Sequence, residues 1–163
     1  MFAVQSLTDE KEALRPDAQL LLGDLDRAGV RVAVNATARG GRELAHRAGL
    51  EQRASVILDE HYAQAFGLTD DRRHRQVLRH AARRLGVPLS ALVTVECDDD
   101  RIEQASESGM CWVAALDRGS SAEHRLSLRA LGADAVLSTL WPGSGGTWWR
   151  ALGIGMAEAP NPG

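Results

Sequence analysis

The chain has 163 residues, 44% hydrophobic and 25% charged, with 19 Lys and Arg against 22 Asp and Glu for a net charge of −3. That length fits one ordinary domain with its own core, and the composition excludes wholesale disorder. The weak net charge excludes long-range attraction to nucleic acid or an anionic membrane, and two cysteines, Cys97 and Cys111, exclude a disulfide framework. Acidic residues from Asp9 onward leave no basic leader segment, and no apolar run approaches the roughly 18 residues of a membrane span. A cytoplasmic domain is the expectation.

In chain order, residues 2–4 make a short apolar strand. Pro16 then opens a helix in which Leu14, Ala18, Leu21, Leu22, Leu25 and Ala28 recur at helical spacing up to Gly29. Val30, Val32 and Val34 give a second strand, followed by a short helix over 42–48 and a third strand over 56–58. Thr69, Asp70 and Asp71 read as a cap for a helix reaching Leu85, with Val77, Leu78, Ala81, Ala82 and Leu85 facing inward. Strands over 91–95, 111–116 and 135–137 alternate with helices over 100–108 and 121–131.

This alternation predicts an α/β fold, a three-layer Rossmann-like arrangement with a mostly parallel sheet covered on both faces. Such sheets bind ligands at the carboxyl ends of their strands. Here those ends are residues 5–10, 35–39, 59–60 and 96–100. From Trp141 the pattern breaks, so the chain divides into a domain over 1–140 and a Trp- and Gly-rich tail over 141–163.

Three stretches carry a family pattern: RPDAQLLLGDLDRAGVRVAV, the long run RRHRQVLRHAARRLGVPLSALVTVECDDDRIEQASESGMCWVAAL, and LRALGADAVLSTL. Together they make the chain similar to a haloacid dehalogenase (HAD)-like phosphatase or phosphomutase without a cap domain, from about Ala3 to Leu140. That resemblance implies a first motif in which an apolar strand runs into Asp-x-Asp-Gly. In AVQSLTDE, the nucleophile position then falls at Leu7 and the general acid/base at Asp9. The second-motif hydroxyl falls at or beside Ala36, with Thr37 as stand-in. The third-motif Lys falls at Arg72, which keeps the charge and changes its shape. In the fourth motif Glu96 matches an acidic position, while the Mg²⁺-ligating Asp falls at Cys97, a soft ligand unsuited to that ion.

The run from Glu96 to Asp100 gathers carboxylates at a strand end, with Glu96 and Asp98 as candidate metal ligands and Asp99 or Asp100 as helix cap. Gly40 and Gly41 follow the second strand where anions meet backbone amides, with Thr37 and Arg39 as ligand-binding side chains. Arg72, Arg75, Arg79 and Arg83 form a helical stripe suited to an acidic partner, and the five histidines show no local metal spacing. In the tail, Trp148 and Trp149 are candidates for the centre of a homodimer or partner interface.

The reading that follows is a catalytically degenerate HAD-like binding or interaction module without a cofactor, taking a small molecule at the strand ends. Neither nucleic acid nor membrane is an expected partner. One alternative is a phosphatase of altered mechanism, holding Mg²⁺ on the 96–100 acidic cluster. The other is a lyase or isomerase using Asp9 as acid or base.

Overall fold

A computed structural model describes residues 1–69, 73–117 and 121–141. Its centre is a six-stranded sheet of β1 (Phe2–Ala3), β2 (Ala33–Ala36), β3 (Val56–Asp59), β4 (Val93–Glu96), β5 (Trp112–Leu116) and β6 (Ala135–Leu137). Every pairing is parallel, in the order β3-β2-β1-β4-β5-β6. The first strand is therefore central, flanked by the second and fourth. Between the strands run α2 (Pro16–Arg27), α3 (Gly41–Arg47), α4 (Glu60–Ala65), α5 (His74–Leu85), α6 (Asp99–Ser106) and α7 (Ala122–Ala130).

Side chains alternate across a strand, and that alternation sorts the core into two layers. Phe2, Val34, Val95, Ala114 and Leu116 pack with Leu21, Leu22 and Leu25 of α2 and Ala45 of α3. Ala33, Leu58, Val113 and Ala115 pack on the other face with Val77, Leu78 and Ala81 of α5 and Ile102 and Ala105 of α6. Thr94 and Glu96 alternate with Val95 and so enter the α5–α6 layer, each fully buried. A carboxylate placed among aliphatic side chains must find partners, and this one does.

Two strands start later than the sequence suggests, β2 at Ala33 rather than Val30 and β4 at Val93 rather than Ala91, and three further details differ. The first strand stops at Ala3, and Val4–Leu7 form a helical turn, α1. The Ser6 hydroxyl donates to the Ala3 carbonyl (2.6 Å) and the Thr8 hydroxyl to that of Val4 (3.2 Å). These short polar side chains satisfy backbone groups that a longer strand would have paired. Second, α4 was not foreseen; Asp59 caps it by accepting the Tyr62 N–H at 2.8 Å. Third, α6 is capped by Asp98, which accepts the Arg101 N–H at 3.2 Å, rather than by Asp99 or Asp100.

Between α1 and α2 the chain forms only a tight turn with a Thr8–Leu14 antiparallel bridge. The expected contributions of Arg72, Trp148 and Trp149 lie outside the described residues, as does the tail beyond Trp141. Among the described residues, no helix is long and apolar enough to cross a membrane.

Candidate functional site

A cleft of about 610 Å³ opens at the carboxyl ends of β2 and β3, lined by Asn35 of β2, by Thr37 and Arg39 just after that strand, from α4 by Glu60, and from α5 and α6 by His74 and Arg101. This is the side of the sheet where parallel α/β folds hold ligands. The volume suits a metabolite rather than a bare ion.

The β2 wall is built by one buried side chain. Asn35 sits in an otherwise apolar strand, and its Oδ1 accepts both the Thr37 N–H (3.2 Å) and the Thr37 hydroxyl (2.8 Å). Because that hydroxyl is spent as a donor, the Thr37 oxygen is left to accept from a ligand. Arg39, exposed at the rim, has no ion-pair partner among the described residues. Gly41 lets α3 start hard against the strand end, since a Cβ there would lie 2.2 Å from the Ala36 carbonyl oxygen.

Opposite stands a buried polar cluster. His74, the first residue of α5 and 3% exposed, places Nε2 3.0 Å from Oε1 of Glu96, which is 0% exposed. The same oxygen accepts the Thr94 hydroxyl at 2.7 Å. Burial pushes the Glu96 carboxyl up, but the His74 charge and hydrogen bond, the Thr94 hydroxyl and the Arg101 charge outweigh it and hold the group below the usual carboxylate range. A hydrogen bond of 3.1 Å from the His74 N–H to Gln104 Oε1 fixes the start of α5.

Thr37 and Arg39 thus come together in one cleft. Asp9 does not join them: it is exposed, and its Oδ1 accepts the N–H groups of Lys11 and Ala13, both at 2.9 Å, closing the turn before α2. The two candidate metal ligands part company, because Glu96 is turned into the core towards His74 and Asp98 caps α6. Among the described residues no group of three His, Cys, Asp or Glu gathers to hold a metal. His74 was passed over because its partner is 22 positions away, beyond the reach of any local spacing. Asn35, by contrast, carried a visible signal: a polar residue within a buried strand.

No family model matches the sequence, and no curated protein does. Solved structures match it throughout the fold. A β-phosphoglucomutase from Clostridium difficile superposes with a TM-score of 0.68 at 13% identity over 92% of this chain. A HAD phosphatase from Thermococcus onnurineus gives 0.66 at 18% identity over 88%. A HAD family hydrolase from Deinococcus radiodurans R1, with bound phosphate and sodium, gives 0.63 at 23% identity over 78%. The chain has the HAD-like fold. It spans 60%, 60% and 56% of those three chains respectively.

The first strand closes at Ala3. Leu7 lies one helical turn further on, 0% exposed and packed in the α2–α3 layer.

Proposed function

We propose that this HAD-like chain binds a small anionic, hydroxyl-bearing molecule in the cleft and has no phosphoaspartate-dependent phosphatase activity. One observation carries the reading: from the end of β1 at Ala3 through Leu7, the position that the family resemblance gives the nucleophile, the segment AVQSL carries no carboxylate. A phosphoaspartate can form only on a carboxylate oxygen, and neither aliphatic side chains nor the Gln5 carboxamide supplies one. Cys97 at the fourth-motif position weakens any hard-metal site further.

The cleft keeps what recognition requires. Arg39 and Arg101 supply positive charge, and the Thr37 oxygen is held ready to accept a hydroxyl. By sequence Arg72 belongs to the same set. A tail interface through Trp148 and Trp149 remains part of the proposal, and light scattering of the full chain should detect a dimer that truncation after Leu140 abolishes.

Two measurements test the binding reading. An aryl phosphate incubated with Mg²⁺, Mn²⁺ or Co²⁺ should show no turnover above buffer. Calorimetry with a hexose phosphate should show binding that Arg39→Ala weakens by about tenfold or more, the worth of one charge-assisted hydrogen bond. Metal-dependent turnover abolished by Asp9→Asn or Asp98→Asn would overturn the proposal in favour of residual phosphatase chemistry.

A further inference from the structure

Beside α5 an aromatic cluster, none of whose three rings lines the cleft, reaches the surface. Tyr62 and Phe66 stack with centroids 4.5 Å apart, and the His80 ring stands edge-on to both, at 5.7 and 5.1 Å. The Tyr62 hydroxyl and His80 Nδ1 are 2.8 Å apart, so two of the three rings are locked together. Phe66 is 56% exposed, one of three large apolar side chains left in water among the described residues. Arg73 donates to the carbonyl of Gly67, the residue after Phe66. Arg83 follows His80 by three residues on α5, on the same side of the helix.

The helix behind the cluster concentrates positive charge. From His74 to Leu85 it has no acidic residue. Among the described residues Arg79 and Arg83, one turn apart on an exposed stripe, make no ion pair. In a chain of net charge −3, this strip is a local reversal of sign. We propose that the Phe66–His80 cluster and the Arg79–Arg83 stripe form a docking surface for an acidic protein segment that presents one apolar side chain. The exposed ring supplies a rigid anchor, whose burial dominates small interfaces, and the flanking arginines select carboxylates. Charge complementarity favours a peptide over nucleic acid, because a single exposed ring offers no succession of stacking platforms and the rest of the molecule repels a long polyanion.

The test uses the full chain and a fluorescein-labelled twelve-residue peptide of Glu and Asp around one central Leu, followed by anisotropy at low salt. Binding should weaken as salt rises. It should fall about tenfold or more when the central Leu becomes Ser, and comparably in Phe66→Ser and in the double variant Arg79→Glu, Arg83→Glu. Phe66→Leu and the double variant Arg79→Lys, Arg83→Lys should retain most of it, which separates loss of the surface from loss of the fold. Absence of peptide binding, or equal binding by all variants, overturns the proposal. So does tighter capture of a single-stranded oligonucleotide of equal charge through the same residues, which would assign the face to nucleic acid. Hexose phosphate binding in the cleft should be unchanged in Phe66→Ser, so this proposal and the cleft reading fail separately.

Discussion

Glu96 stays ionised in the α5–α6 layer because His74 and Thr94 both donate to one of its oxygens. Its other oxygen, Oε2, is buried with no hydrogen-bond partner among the described residues, so the carboxylate has no reserve. Removing either member of a buried pair strands the other. Glu96→Ala and His74→Ala should each lose about 3–5 kcal/mol of unfolding free energy in urea titrations, and a loss under about 1 kcal/mol would show the pair to be dispensable. Leu7 makes a complementary case. The family motif tempts one to restore an acid there, yet the side chain is 0% exposed in the α2–α3 core. Leu7→Asp should unfold the domain or cost several kcal/mol, with no phosphatase activity gained, because an unpaired carboxylate would be buried. This part of the site was half legible in the sequence. Thr37 and Arg39 follow a strand end that periodicity locates, whereas the His74–Glu96 pair depends on two elements packing together and leaves no trace in local spacing.

Between elements, one glycine and one aspartate hold the layers in place. A Cβ on Gly41 would sit 2.2 Å from the Ala36 carbonyl oxygen and 2.7 Å from its carbon, both backbone atoms that cannot swing aside. Gly41→Ala should therefore force α3 away from β2, destabilise by about 1–3 kcal/mol or more, and weaken ligand binding at Thr37, as urea titration and calorimetry can check together. Asp17 performs a longer-range task. From the first turn of α2 its Oδ2 accepts the Thr139 hydroxyl (2.9 Å) and the Leu140 N–H (3.0 Å), tying the start of the chain to the exit from β6. Arg15 clamps both carboxylate oxygens at 3.0 Å. Helix and strand order followed readily from the sequence, since period 3.6 in α2 and α5 and the β-branched run in β4 agree with where each element lies, whereas β2 keeps only Val34 of the expected valines. The first strand ran too long in that reading. Val4 favours a strand, but the Ser6 and Thr8 hydroxyls offered the backbone other partners, and side-chain capping of this kind is decided by three-dimensional closure rather than pattern.

For the molecule as a whole, the three shifted side chains act in the same direction with pH. Asp17 is pushed up by burial, but the Arg15 guanidinium and the hydrogen bonds from Leu140 and Thr139 more than offset this and hold it low. Glu96 is likewise held low by His74, Thr94 and Arg101 against its burial. His80 is lowered by burial and by Arg83, so its ring resists protonation in the folded state. For each group the unfolded chain binds the proton more readily, and stability must rise with pH through the group's own range. The stability they contribute is present above the unfolded values and is lost as pH falls through the folded ones. Acidification should therefore act in two stages, a shallow one below about pH 6.5 where an unfolded histidine charges, and a steeper one below about pH 4.5 where unfolded carboxylates protonate. Urea midpoints measured from pH 7.5 to 3 should show both. His80→Gln should flatten the first stage, and Asp17→Asn should lower stability at neutral pH while reducing the slope of the second. A midpoint that stays level from pH 7.5 to 3, or a second stage unaltered in Asp17→Asn, would mean that the Arg15–Asp17–Leu140 tie is not closed in solution.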